Sequence, residues 1–276
     1  CVSFMFDERG QIIIDKEEYE TDAWLLLEDA ANCTRNDLFL RGNEELTKEQ
    51  ETLYKEYLEK RSRRIPVQHI LGVQCFCGLD FIVTPDVLCP RLDTEVLIEE
   101  ALKRIRPGSS ILDMCTGSGC IILTLMHFVK DSQGTAADLS EKALAVAKQN
   151  AEKLEKECKL IHSDLFENIE GKYDVIISNP PYIATKEIEA LEPEVREFEP
   201  MMALDGMEDG LFFYRKIVSE SVNYLNPCGW LMFEIGYDQG AQVSEMMKLA
   251  GYCEVKVVKD LAGLDRVVIG KLMQEE

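Results

Sequence analysis

Beyond Pro90 the sequence alternates short apolar runs with longer amphipathic stretches, and this alternation restricts the possible fold more than any other feature. Buried strands separated by helices are the signature of a doubly wound α/β domain. The pattern predicts strands at 110–114, 134–138, 159–162, 173–178 and 230–235, with helices near 94–105, 119–129, 140–156, 210–225 and 238–250. The tail adds a strand at 253–259, a turn through Leu261-Ala262-Gly263-Leu264 and a last strand from Arg266 to Gly270. Such a hairpin places an antiparallel strand in an otherwise parallel sheet. Before this domain, Lys16 to about Gly72 reads as helical. Trp24-Leu25-Leu26-Leu27 stands amid acids, and Thr47-Lys48-Glu49-Gln50 opens a helix in capping-box style ahead of Leu53, Tyr57 and Leu58. Two short strands around Cys77-Gly78-Leu79-Asp80 read as a hairpin joining the parts. The expected organisation is a helical domain over 1–72, a linking hairpin over 73–89 and the α/β domain over 90–276.

With 276 residues, 46% of them hydrophobic, the chain can bury a full core and supply one large and one smaller domain. No apolar stretch approaches the roughly 18 to 20 residues of a membrane span, and the start Cys1-Val2-Ser3-Phe4-Met5-Phe6-Asp7 lacks a basic flank and a cleavage site. A cytoplasmic protein is expected, and a first residue other than Met is read as a fragment or a processed form. The ten cysteines are scattered, several within apolar runs, as free buried thiols are in a reducing compartment. Cys75 and Cys77 form the one close pair, with no second pair or nearby His to complete a zinc set, so no metal is expected.

Thirty basic residues stand against 51 acidic ones, a formal charge of -21. A protein that grips nucleic acid by its backbone normally carries a basic face, so direct DNA binding is not expected. Between Thr185 and Gly210 nine acids (Glu187, Glu189, Glu192, Glu194, Glu197, Glu199, Asp205, Glu208, Asp209) face only Lys186 and Arg196. The run reads as a solvated acidic face, or functionally as a landing surface for a basic protein. The basic knot Lys60-Arg61-Ser62-Arg63-Arg64 reads as a solvated helix end, with RNA or partner contact as the alternative.

The chemistry gathers at strand ends. Asn179-Pro180-Pro181-Tyr182 directly follows the run Tyr173 to Ser178. Two prolines fix the backbone, the Asn179 side-chain oxygen and the Pro180 carbonyl can each accept a hydrogen bond, and Tyr182 offers a ring face. That set suits the grip of a planar NH2 group, on either a base or an amide. The strand Ser110 to Met114, which includes Asp113, runs into Cys115-Thr116-Gly117-Ser118-Gly119. Small residues there let a ligand approach the backbone and a helix N-terminus, which implies a nucleotide-like ligand. Ile122 stands where a dinucleotide fingerprint wants its third glycine, so a pyrophosphate is disfavoured. Asp138 closes the next strand, placed to take both hydroxyls of a ribose, while Ser140 can cap the following helix. Asp164-Leu165-Phe166 offers an acid and two apolar walls suited to an adenine. All these strands end at one edge, where open α/β sheets bind ligands, so the gripped NH2 and the reactive end of the ligand meet in one crevice.

The spacing of Asp113 to Gly119, Asp138, Asp164-Leu165-Phe166 and Asn179-Pro180-Pro181-Tyr182 resembles that of class I S-adenosylmethionine-dependent methyltransferases that alkylate planar nitrogens. Further stretches narrow the resemblance to the HemK/PrmC family. They are Pro66-Val67-Gln68-His69-Ile70-Leu71-Gly72, Thr84-Pro85-Asp86-Val87-Leu88, Pro90-Arg91, Glu199-Pro200, Ala203-Leu204, Asp209-Gly210, Glu234-Ile235-Gly236 and Lys259-Asp260-Leu261-Ala262-Gly263. The resemblance spans about Thr21 to Leu272 and implies a Rossmann-like, mostly parallel seven-stranded sheet with a C-terminal antiparallel hairpin, plus a small N-terminal helical domain that recognises substrate; the first 15 or so residues are atypical. It implies S-adenosyl-L-methionine as cofactor, S-adenosyl-L-homocysteine as product, and methylation of N5 of the glutamine in the Gly-Gly-Gln loop of peptide chain release factors. Asn179, Pro180 and Tyr182 then serve catalysis. Asn179, Pro180, Pro181 and Tyr182 hold the substrate, and Asp113, Cys115, Thr116, Gly117, Ser118, Gly119, Asp138, Leu139, Asp164, Leu165, Phe166 and Asn179 hold the cofactor. The alternatives are a glutamine methyltransferase acting on a ribosomal protein and, further off, a DNA adenine methyltransferase. Cys115 and Met207 stand at or near positions where the family often has glycine, and Leu92-Asp93 replaces Pro-Glu; Cys115 is small enough to be accommodated if its φ stays negative.

Overall fold

A computed structural model describes residues 16–40 and 45–273; the atypical opening residues, Cys1 among them, lie outside these. The described residues divide into two compact units, one holding those up to Val73 together with Glu192–Phe198, the other Gln74–Leu191 and those from Glu199 to Met273.

The first unit begins with α1 (Lys16–Ala31), α2 (Arg35–Leu40), α3 (Lys48–Ser62) and α4 (Val67–Leu71). The capping box read from sequence forms: the Thr47 side chain accepts from the Gln50 amide and the Gln50 side chain accepts from the Thr47 amide. Leu26, Ala30, Tyr54, Leu58 and Val67 make a small apolar core. The basic knot is a solvated helix end only at Lys60 and Arg63, which are exposed. Arg61 is 2% exposed and is ion-paired to Asp22 at 2.7 Å and Glu194 at 2.9 Å. Arg64 pairs with Glu192 and Glu194 at 3.0 and 2.6 Å. Four helices of modest length bury little apolar surface, so a buried charge cluster carries part of the packing.

The second unit contains the hairpin β1 (Val73–Phe76) and β2 (Leu79–Ile82), then α5 (Glu95–Leu102), β3 (Ser110–Met114), α6 (Cys120–Phe128), β4 (Gln133–Asp138), α7 (Glu141–Lys153), β5 (Lys159–His162) and β6 (Tyr173–Ser178). After α8 (Pro193–Phe198), which packs in the first unit, come α9 (Met201–Leu204), α10 (Phe212–Ser221), β7 (Leu225–Glu234), α11 (Gly240–Leu249), β8 (Tyr252–Lys259) and β9 (Asp265–Leu272). The sheet order is β5-β4-β3-β6-β7-β9-β8, parallel except that β9 runs antiparallel to both neighbours. Ile111, Val175, Ile177, Met232 and Ile269 pack with α5 and α6, while Leu112, Ile176, Leu231, Phe233 and Val268 pack with α10 and α11. Successive strand residues point to opposite faces, and burial on both faces is why these strands read as unbroken apolar runs.

Two boundaries differ from expectation. β7 begins at Leu225 rather than near 230, and α10 ends at Ser221. Pro227 and Gly229 hide the early part of the strand, where the pairing with β6 shifts register between Tyr173 and Val175. The acid-rich stretch forms a 3-10 turn at Thr185–Ala190, α8 and α9, which carry no apolar periodicity long enough to be read in sequence.

Candidate active site

Strand order reverses beside β3, which has β4 on one side and β6 on the other. That switch point opens a crevice at the carboxyl ends of the strands. Met114 pairs with Ala137 and with Ser178, and Ser178 pairs with Phe233. Asp138, Cys115, Asn179 and Glu234 therefore follow one another along a single edge.

The crevice has a cavity volume of about 130 Å³, and its walls include Cys115, Thr116, Gly117, Ser118, Asp138, Leu139, Asp164, Leu165, Asn179 and Pro181. Every expected cofactor residue is on it except Asp113, Gly119 and Phe166, and every expected substrate residue except Pro180 and Tyr182. Each exception has a local cause. Asp113 is fully buried beneath the loop and accepts the Thr116 hydroxyl at 2.6 Å. Burial pushes its carboxyl up to about 7, against the pull of that hydroxyl. Gly119 has φ +80° at the start of α6, and a Cβ there would stand 3.2 Å from Ala147. Phe166, expected as an adenine wall, is 2% exposed and stacks on Tyr224 with centroids 4.6 Å apart. Leu165 turns at φ 47°, so it faces the crevice while Phe166 enters the core.

The loop is shaped by left-handed backbone: φ is 60° at Cys115, 56° at Gly117 and 80° at Gly119. Cys115 therefore does not keep the negative φ expected of it. Met207 is also left-handed, at φ 69°. At both departures from glycine the backbone holds the conformation glycine adopts most cheaply. The Asp138 carboxylate accepts the Gly117 amide at 2.9 Å and the Ser140 amide at 2.8 Å. Burial raises its pKa, and these amides oppose the shift. The Ser140 hydroxyl caps α7 by accepting the Ala143 amide at 3.1 Å, which leaves Asp138 free of the capping role. Ser118, 2% exposed on the crevice wall, has an Oγ without a hydrogen-bond partner.

Asn179 and Pro181 face the crevice, and Pro180 is buried. The Tyr182 carbonyl accepts Gln239 Nε2 at 2.9 Å, and the same nitrogen reaches the Gly210 carbonyl at 3.2 Å. A Cβ on Gly206 would lie 2.8 Å from the Tyr182 backbone, so the 206–210 loop presses against the prolyl segment. Burial pushes the Tyr182 hydroxyl up to about 12, which keeps the ring neutral. Arg91 pairs with Glu199 at 2.6 Å, and the Cys89 amide also donates to Glu199 at 3.3 Å. Pro90-Arg91 and Glu199-Pro200, far apart in sequence, are thus two halves of one wall. Sequence reading missed Gln239, Gly206, Thr94 and Asn150, whose amide donates to the Ser118 carbonyl at 2.9 Å and ties the loop to β2 through Ile82. None belongs to a short motif that could have pointed to it.

Much of the acidic run is internally engaged. Glu192 and Glu194 hold arginines of the first unit, Glu199 holds Arg91, Asp205 accepts the Thr185 hydroxyl, and Asp209 takes Arg215 in a two-pronged pair. A plain solvated face does not describe it. Among the described residues no group of three or more His, Cys, Asp or Glu is arranged to hold a metal, and no helix is long and apolar enough to cross a membrane.

Residues 11–72 match the family model of the PrmC N-terminal domain, and residues 82–194 match that of the methyltransferase small domain. The release factor glutamine methyltransferase of Geobacter sulfurreducens is 44% identical over 260 residues, covering 94% of this chain and 91% of the relative. This chain belongs to the release factor glutamine methyltransferase family. The family member of Caulobacter vibrioides is 42% identical, over 90% of this chain and 88% of its own. The sheet also matches a methyltransferase crystal structure from Pyrococcus furiosus with a TM-score of 0.55 at 20% identity, over 72% of this chain and 91% of that one, a likeness of fold.

Proposed function

We propose that this methyltransferase holds S-adenosyl-L-methionine along the 115–118 loop, Asp138 and Leu165, and holds the side-chain amide of the Gly-Gly-Gln glutamine of peptide chain release factors at Asn179 and the Pro180 carbonyl. The observation that carries this reading is that Asn179 and the loop are walls of the same crevice.

The residues fit the cofactor. An ionised carboxylate offers about four acceptor sites, so Asp138 keeps capacity for two ribose hydroxyls beyond the amides of Gly117 and Ser140. Gly117 has nothing within 4 Å of a Cβ position, which leaves its backbone open to close approach. The unpartnered Ser118 hydroxyl is available to a polar group of the ligand. Leu165 supplies an apolar wall and Asp164 an acceptor for an exocyclic amine. When bound, the cofactor supplies a methyl group made electrophilic by the adjacent sulfonium.

The protein's task is then the amide. A carboxamide nitrogen is a poor nucleophile because its lone pair is delocalised into the carbonyl. Two acceptors on its two N–H groups orient it and favour the positive charge that develops on nitrogen as it is alkylated. The alkylated amide is strongly acidic and loses its proton to solvent, so no dedicated base is needed. Tyr182, off the crevice wall and uncharged, backs the Asn179-Pro180-Pro181 segment, with its carbonyl held by Gln239.

The test is a labelled-methyl assay with a release factor, its loop Gln→Ala variant, a glutamine-methylated ribosomal protein and adenine-containing DNA offered separately. Label in the release factor that disappears in the variant supports the reading. Label in the DNA alone overturns it.

A further inference from the structure

An amide side chain can grip an NH2 group only if its oxygen points toward it; turned over, Asn179 would present its own NH2 to the substrate's. Something must fix the rotation, because the two orientations have the same shape. The prolines fix the backbone and leave χ2 of Asn179 undetermined.

Glu234 is placed to do so. It is the last residue of β7, and the register of Ser178 with Phe233 sets it beside Asn179 on the neighbouring strand. It is 1% exposed, and the side chains of Thr94 and Asn179 lie against its carboxyl and favour its ionised form, against the effect of burial. Thr94 is 2% exposed and stands at the start of α5, yet its side chain makes no capping bond to that helix. Its side chain lies by the carboxyl instead. Arg266 and Asp93 are the charged groups that face Glu234, and Arg266 is itself paired with Asp93 at 3.2 Å and Asp260 at 3.1 Å. Glu234 Oε2 has no hydrogen-bond partner. A carboxyl buried this incompletely satisfied is poorly explained as a stabilising feature, since an apolar residue of similar size costs less to bury.

We infer that Glu234 is a positioning residue, which accepts a hydrogen bond from the Asn179 amide NH2 and so turns the Asn179 oxygen toward the substrate nitrogen. Burial pushes Glu234 up to about 7, so this role belongs to its ionised form, which gains share as pH rises through neutrality; an ionised carboxylate only accepts, so toward it Asn179 donates through Nδ2. Its Oδ1 is thereby the end left to the crevice, where Asn179 forms part of the wall. Thr94, donating from the other side, holds the carboxylate in register. The inference rests on Asn179 gripping the substrate amide, as proposed above.

The experiment compares wild type with Glu234→Gln, Glu234→Leu and Thr94→Val on the full chain. It measures kcat and KM with a release factor, cofactor affinity by calorimetry and thermal unfolding. Glu234→Leu removes the acceptor and should lower kcat roughly 100-fold, while cofactor affinity and the KM for release factor change by less than about threefold. Glu234→Gln keeps a carbonyl that accepts from Asn179 but adds an amine that can face it wrongly. It should retain the fold and recover part of the rate, landing about tenfold below wild type. Thr94→Val should fall between Glu234→Gln and wild type. If Glu234→Gln and Glu234→Leu both turn over within twofold of wild type, or if lost activity follows lost cofactor binding, the positioning role is wrong. Should Glu234→Leu not fold, the isosteric Glu234→Gln decides alone by the same twofold limit. A wild-type protein that methylates no release factor overturns the functional reading and this one together; an active wild type with an equally active Glu234→Gln overturns this one only.

Discussion

The two sides of the crevice are built by opposite means. The side proposed for the cofactor, Cys115 to Gly119, takes its shape from the backbone: three left-handed residues, with the Gly117 amide tied to Asp138. The side proposed for the amide, Asn179 to Tyr182, takes its shape from rings and from what presses on it, with Gln239 on the Tyr182 carbonyl, the 206–210 loop against its backbone and Glu234 beside Asn179 on the next strand. A loop defined by backbone torsion tolerates changes of side chain that leave those torsions open. A segment defined by its neighbours is sensitive to residues distant in sequence. Lesions on the first side should therefore appear in cofactor affinity and stability, and lesions on the second in turnover.

Asn179→Ala tests this contrast most severely. Turnover with a release factor should fall by roughly 10²–10³-fold or more, as when a developing charge loses one fixed partner, with cofactor affinity nearly unchanged by calorimetry. Near-wild-type rates in this variant would remove Asn179 from the mechanism. Asp138→Ala should do the reverse. It strips a carboxylate from the ligand and from the Gly117 and Ser140 amides, and cofactor affinity should weaken by about 10–100-fold, with the saturated rate much less affected. An unchanged dissociation constant would take the ribose out of its reach.

The buried carboxyl beneath the cofactor loop gives a smaller effect, read as pH dependence. Asp113 is raised from 3.8 to about 7 in the folded state, so the folded protein binds more protons than the unfolded one between those values. The stability it contributes is complete below about pH 4 and is lost as pH rises toward 7, at up to about 1.4 kcal/mol per pH unit. Glu234, also raised by burial to about 7, acts in the same direction. Urea midpoints from pH 5 to pH 7.5 should fall for wild type and fall less steeply for Asp113→Asn; parallel curves for the two proteins would show that the burial of Asp113 sets no such slope. The smallest effect is Cys115→Gly. Relief of a left-handed non-glycine residue should stabilise by up to about 1 kcal/mol, reduced by the greater freedom of glycine in the unfolded chain. A loss of stability in a melting experiment would mean that the cysteine packs better than its torsion costs.

What was legible in the sequence follows from short range. Strand and helix positions could be read because burial on two faces writes apolar runs, and the capping box at Thr47 because its partners lie three residues apart. The strand ends that line the crevice were legible for the same reason: Asp138 and Asn179 directly follow their runs. Phe166 was misplaced because a single left-handed residue, Leu165, redirects the next side chain, and no residue type in that stretch announces it. The charge runs were misread because composition shows an excess and not its pairing. Arg61 and Glu194 look like solvent-facing residues until α8 is seen to pack with the helices of the first unit.

The sequence by itself determined which elements form and which chemical groups stand at their ends, since both depend on residues within a few positions of each other. Only the tertiary structure decided which distant residues meet those groups: Gln239 bonds Tyr182, Glu199 bonds Arg91, and Glu234 comes beside Asn179. Hydrogen bonds across tens or hundreds of residues leave no period in the chain, and they exist only once the sheet order has brought the strand ends to one edge.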